Sequence, residues 1–159
     1  MRNTLLTLGG AAAFGLLLLS GCAPTTLARR PINPPGIAPL VPAYSVAIRD
    51  GNQVFVSGMT GIKPGTQDII EGGVEIQTRQ TLDNIRTALK SAGATMADVG
   101  ECTVFLTDMR DYAAMNGVYT EYFRVDPPAR ATVAVTARPR PAARVEIKCT
   151  AQIRSPEKP

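Results

Sequence analysis

The chain has 159 residues, of which 45% are hydrophobic and 19% charged, with a formal net charge of +4; that is enough material for one domain with a real core. It contains no histidine and no tryptophan, and aromatic residues make up only 5%. Ser-His-Asp and Cys-His nucleophile systems and histidine-bearing zinc sites are therefore excluded, and with so few aromatics for bases to stack on, no nucleic-acid partner is expected.

The opening stretch, MRNTLLTLGGAAAFGLLLLSGCAP, has a positive charge at Arg2 and then an apolar and small-residue run to Leu19. That is the layout of a secretory signal, and the run is short for a membrane-spanning helix. Its ending, LSGC, resembles the lipobox of bacterial lipoproteins. The resemblance implies a signal peptide over 1–21, removed before Cys22, and acyl chains on the Cys22 that remains. Several chains on one residue make a stable attachment, whereas one alone holds marginally. Residues 22–42 are rich in Pro, Thr, Arg and Gly and read as the lipidated cysteine followed by an extended tether. The protein is thus expected to be exported and held at the bacterial cell envelope, on the periplasmic side.

The folded domain is expected over 43–154, with 155–159 as a tail. AYSVAIRDGNQVFVSG is two alternating runs around Asp50-Gly51-Asn52, a hairpin signal because the turn needs residues that tolerate positive φ. Leu82, Ile85, Leu89 and Ala92 then recur at helical spacing, closed by Gly93. VGECTVFLTDM reads as a strand. Asp108 or Asp111 caps a second helix, lined on one side by Tyr112, Met115, Val118, Tyr119 and Tyr122, which Pro127 and Pro128 end. RATVAVTA and ARVEIKCTAQI are the last two strands. The order is β-β-α-β-α-β-β, an α+β domain with two helices on one face of a mixed sheet. In the last strand Val145, Ile147, Cys149 and Ala151 point one way, and Glu146, Lys148, Thr150 and Gln152 the other. The polar row points to a wet cleft or a subunit interface. Export places Cys102 and Cys149 in an oxidising compartment, where they are either buried thiols or a bridged pair; the reading favours free thiols.

The ordered stretches AYSVAIRDGNQVFVSG, QTLDNIRTALKSAG, DVGECTVFLTDMRDYAAMNGVYTEYF, PPARATVAV and VEI together resemble the RidA (YjgF) family of enamine/imine deaminases, from about Ala43 to Ile153. The resemblance implies a chorismate-mutase-like fold, assembled as a homotrimer whose sheets face inward with a site at each subunit interface. It implies hydrolysis of reactive enamine and imine acids of the 2-aminoacrylate type to 2-keto acids and ammonia, without metal or organic cofactor. By the same resemblance Arg130, in PAR, anchors the substrate carboxylate, and Glu146, in VEI, positions the attacking water and relays protons. Tyr44, Ser57, Gly58, Asn116 and Thr132 match residues that shape the pocket, while Asn84 reads as structural. Three departures stand out: Met59 where the family often has glutamine, Thr132 where it often has cysteine, and Arg138 in place of the leucine of LP, in a loop one residue longer before Glu146. A second reading is a non-catalytic module that binds small carboxylates or a partner. Arg130 serves both readings; acid/base geometry around Glu146 serves only the first.

Overall fold

A computed structural model describes residues 28–154. The signal segment expected over 1–21, the lipidation site Cys22 and the tail 155–159 lie outside the described residues. Six strands and two helices follow in the order β1 (Arg30–Ile32), β2 (Ala47–Asp50), β3 (Gln53–Thr60), α1 (Val74–Ala92), β4 (Val99–Leu106), α2 (Tyr112–Tyr122), β5 (Ala129–Ala134) and β6 (Val145–Gln152). They form one sheet in the order β1-β2-β3-β6-β4-β5. Every neighbouring pair is antiparallel except β4 and β5, which run parallel.

The β2–β3 hairpin turns as its sequence requires: Asp50 pairs with Gln53, and Gly51 takes φ +60°. Helix α1 buries Leu82, Ile85 and Leu89 completely. Gly93 ends it in the left-handed conformation, its N–H bonded to the Lys90 carbonyl and that of Ala94 to the Leu89 carbonyl, the glycine C-terminal motif. Arg49 reaches across from β2 to donate to the Ala92 carbonyl at 2.8 Å, a cation at the negative helix end. Asn84, buried in α1, donates to the carbonyls of Thr60 and Ile62; its role is structural, fixing the chain just beyond β3. Helix α1 packs on β2, β3 and β6 and against α2, so both helices cover one face of the sheet. The other face carries Phe55, Phe105, Val133, Glu146 and Lys148, and among the described residues no helix covers it.

Two expectations are corrected. The tether read over 22–42 belongs to the domain from Arg30 onward. β1 pairs with β2, Ile32 and Ile37 are buried, and Asn33 accepts the Val46 N–H at 2.9 Å. Proline is compatible with this because β1 is an edge strand, where a missing N–H costs no ladder bond; Pro31 sits there without penalty. The two buried isoleucines stand alone among prolines, so no periodicity marks them.

Cys102 and Cys149 are joined in a disulfide, not free thiols. They are direct partners across β4 and β6, and both are buried. Cross-linking across 47 residues removes freedom from the unfolded chain. Alkylation of the unreduced, unfolded protein should therefore leave both cysteines unlabelled by mass spectrometry. Cys149→Ala should lower stability by about 2–4 kcal/mol in denaturant titrations.

Candidate functional site

The residues singled out by sequence divide between two places. Tyr44, Ser57, Gly58 and Glu146 line one cleft of about 470 Å³, together with Leu40, Val41, Thr60, Ile62, Pro139 and Arg140. The cleft exists because the β3–β6 ladder slips. Val56 pairs with Cys149 and Met59 with Ile147, so three steps along β3 match two along β6. Ser57 and Gly58 form the bulge, and bulges re-aim side chains. Here the bulge lays the Gly58 backbone under Glu146. A Cβ built on Gly58 would overlap Glu146 Oε1 and lie 2.9 Å from its Cδ, so only glycine leaves room for the carboxylate. Ser57 Oγ donates to the Ser45 carbonyl at 2.8 Å, which stitches the bulge to the chain entering β2. Tyr44 accepts the Leu40 N–H on its hydroxyl at 2.8 Å, leaving the phenolic proton available to a ligand. Met59, one of the departures, is buried and points into the core instead of the cleft.

Glu146 is half-buried. Burial raises its pKa above the ordinary glutamate value, and the nearby Arg138 guanidinium pulls the other way. A desolvated carboxylate with a raised pKa is a better proton acceptor than one in water.

Arg130 lies elsewhere. It projects from β5 onto α2, where Nη1 donates to Asn116 Oδ1 at 2.8 Å and Nη2 to the Tyr112 hydroxyl at 3.3 Å. Its guanidinium carbon sits 4.5 Å from the centre of the Tyr119 ring and 5.9 Å from that of Tyr112. Residues 112, 116 and 119 are spaced i, i+4, i+7 and so share one helical face; that face is a cradle for the cation. Burial pushes the Tyr119 hydroxyl up to about 12, with Arg130 opposing. The Tyr119 hydroxyl and Thr132 Oγ1 are both buried with no hydrogen-bond partner among the described residues. The sequence marks Tyr112 and Tyr119 only as helix lining. Their spacing around Asn116 was the available signal.

Arg130 pairs with Cys102, whose side chain is in the core, whereas Glu146 pairs with Phe105 on the uncovered face. Side chains alternate along a strand, and Cys102 and Phe105 are three apart. Arg130 and Glu146 therefore point to opposite faces, with β4 between their strands. One chain does not bring them together. Among the described residues no group of three or more His, Cys, Asp or Glu side chains is arranged to hold a metal ion.

Residues 37–153 match the family model described as endoribonuclease L-PSP. The chain is 48% identical over 99 residues to a RutC family protein of Sulfurisphaera tokodaii, covering 62% of this chain and 79% of that one. It is 36% identical over 127 residues to the 2-iminobutanoate/2-iminopropanoate deaminase of Capra hircus, covering 80% of this chain and 92% of the goat protein. Among solved structures, that of TdcF from E. coli with bound serine superposes with a TM-score of 0.73 at 30% identity, over 79% of this chain and 99% of that one.

The bulge geometry makes a direct prediction. In Gly58→Ala the new methyl takes the place of the carboxylate, which must swing toward water. The Glu146 pKa, followed by carbon-edited NMR, should fall toward the ordinary glutamate value, with little change in melting temperature.

Proposed function

We propose, for a chain that belongs to the endoribonuclease L-PSP (RidA/YjgF) family, that it hydrolyses 2-imino acids and their enamine tautomers to 2-keto acids and ammonia. The observation that carries this reading is the half-buried Glu146 carboxylate held over Gly58 in a cleft that has room for a small ligand. The goat relative's name supplies the substrate class, and the serine in TdcF is a small ligand bearing the carboxylate that Arg130 suits.

The chemistry follows from the groups present. The substrate carboxylate takes a paired hydrogen bond from the planar Arg130 guanidinium, which orients the molecule. Glu146 accepts a proton from water as the oxygen attacks the imine carbon, giving a carbinolamine. Protonated Glu146 passes that proton to nitrogen, then takes the hydroxyl proton of the carbinolamine and delivers it to the same nitrogen, so that the C–N bond breaks and ammonia leaves as the carbonyl forms. The carboxylate ends as it began. The Tyr44 hydroxyl is placed to donate to the ligand at the cleft mouth.

Because Arg130 and Glu146 face opposite ways in one chain, the reading requires Arg130 of a second copy to meet the Glu146 cleft. Two different patches meeting head to tail form a ring where the rotation closes, and the resemblance to the family supports a homotrimer with the uncovered sheet faces turned inward. Phe55 and Val133, each over 40% exposed on that face, would be covered by such assembly. Multi-angle light scattering should give three times the subunit mass; a stable monomer at micromolar concentration would overturn the composite site.

The signal-like run and LSGC support export and a lipid anchor on Cys22 at the periplasmic side of the cell envelope. The Cys102–Cys149 disulfide fits an oxidising compartment. Metabolic labelling with a fatty-acid analogue should mark the protein and be lost in Cys22→Ala.

Ammonia release from enzymatically generated 2-aminoacrylate tests the reaction itself. Glu146→Gln should cut kcat by about 10²–10⁴-fold while 2-oxobutanoate binds as to wild type. Arg130→Lys keeps the charge without the fork and should weaken keto-acid binding by about tenfold, with Arg130→Ala worse. A wild type that binds keto acids without releasing ammonia would favour the carboxylate-binding module instead.

A further inference from the structure

The loop before β6 holds an arginine whose surroundings ask for explanation. Arg138 is half-buried and donates through Nη1 to the Phe105 carbonyl at 2.8 Å and through Nη2 to the Ala143 carbonyl. Phe105 is the cross-strand partner of Glu146, and Ala143 lies three residues before it. The guanidinium thus ties together the two strand ends between which Glu146 is mounted. The loop is pinned elsewhere as well. Buried Gln77 donates to the Ala142 carbonyl and accepts the Arg144 N–H, and Arg140 donates to the Gln67 backbone and side-chain oxygens.

Tying two carbonyls together does not require a full charge, and a desolvated cation is expensive. Arg138 Nε is moreover buried with no partner, and among the described residues no carboxylate lies within ion-pair distance of this side chain. The carboxylates whose fields reach it are Glu146 and Asp111. Asp111 is already matched by two hydrogen bonds from Arg144, at 2.8 and 3.0 Å. Glu146 is therefore the one charge that Arg138 is left to balance. The other charged or titratable groups around Glu146 are Tyr44 and Arg140 across the cleft and Lys148 two residues along the same face of β6. β3 contributes none, since Ser57, Gly58 and Thr60 do not titrate in the ordinary range. Arg140 spends its guanidinium on Gln67.

We propose that Arg138 is a positioning residue for Glu146: it fixes the strand ends that aim the carboxylate over Gly58, and its charge keeps that carboxylate ionised in a cleft that dries when ligand enters. This deepens the reading above and rests on Glu146 acting as the base. Burial drives Glu146 toward its neutral form, which cannot accept a proton from water, and Arg138 opposes that drive. The acid limb of kcat/KM rises as Glu146 loses its proton. Removing the cation should therefore move that limb to higher pH.

The test measures pH profiles of ammonia release and, independently of activity, the Glu146 pKa by carbon-edited NMR, in the full chain. Arg138→Gln keeps side-chain donors and discards the charge; its acid limb and its Glu146 titration should both move up by about one unit. Arg138→Lys keeps the charge and should stay near wild type in both. Glu146→Gln serves as the control: if it retains activity, the base assignment fails, while the NMR titration still decides what Arg138 does. A folded Arg138→Gln with an unmoved Glu146 titration overturns the proposal. Should Arg138→Gln not fold, Arg138→Leu is read in the same way. Failure of both to fold beside a native Arg138→Lys would count against it, making the side chain a structural clamp.

Discussion

The alternation of side chains along a β-strand is the constraint on which the account turns. Glu146 and Arg130 are the two groups on which the proposed reaction rests, one as proton acceptor and one as carboxylate anchor. Their register positions against β4, at Phe105 and Cys102, differ by an odd number, so the sheet itself separates them. No rotamer change within a strand undoes that. Either the chain works as two unrelated surfaces, or its site is assembled from two copies.

Each half is built to be rigid before any ligand arrives. On one side the β3 bulge brings Gly58 under the carboxylate, Ser57 ties the bulge to Ser45, and Asn84 holds the chain beyond it. On the other, Asn116, Tyr112 and Tyr119 hold the guanidinium against α2 with two hydrogen bonds and two aromatic rings. Groups held in place in this way need little reorganisation when charge develops. The two halves also differ in electrostatic character. The Glu146 half is partly desolvated and lies near one half-buried cation, Arg138, while the Arg130 half presents a cation with no carboxylate paired to it among the described residues.

Much of this was legible in the sequence where a periodicity or a turn residue carried it. The Asp50-Gly51-Asn52 hairpin, the α1 stripe closed by Gly93, and the two faces of β6 all follow from spacing, and the last already sets Glu146 apart from Cys149. Other features have no periodic mark. Ile32 and Ile37 sit among prolines, so β1 looked like tether. The bonding of Cys102 to Cys149 depends on which strands become neighbours and in what register. The Ser57-Gly58 bulge is a mismatch between two strands distant in sequence, invisible in either alone. Tyr112 and Tyr119 were visible as one helix face, but apolar packing explained that face well enough to hide the cradle. Arg138 stood out only as a departure, and its part emerges once the loop folds back onto Phe105.

Intersubunit complementation tests the central claim most directly. Glu146→Gln and Arg130→Ala, carrying different tags, are co-expressed, and oligomers bearing both tags are purified and assayed for ammonia release. If the site is shared between copies, each variant alone is inactive, while mixed trimers restore one intact pairing of Glu146 with Arg130 among their three sites and recover about a third of wild-type activity. Mixed assemblies no more active than either variant alone would contradict the account, because they would place both residues in one chain's site or remove one of them from it.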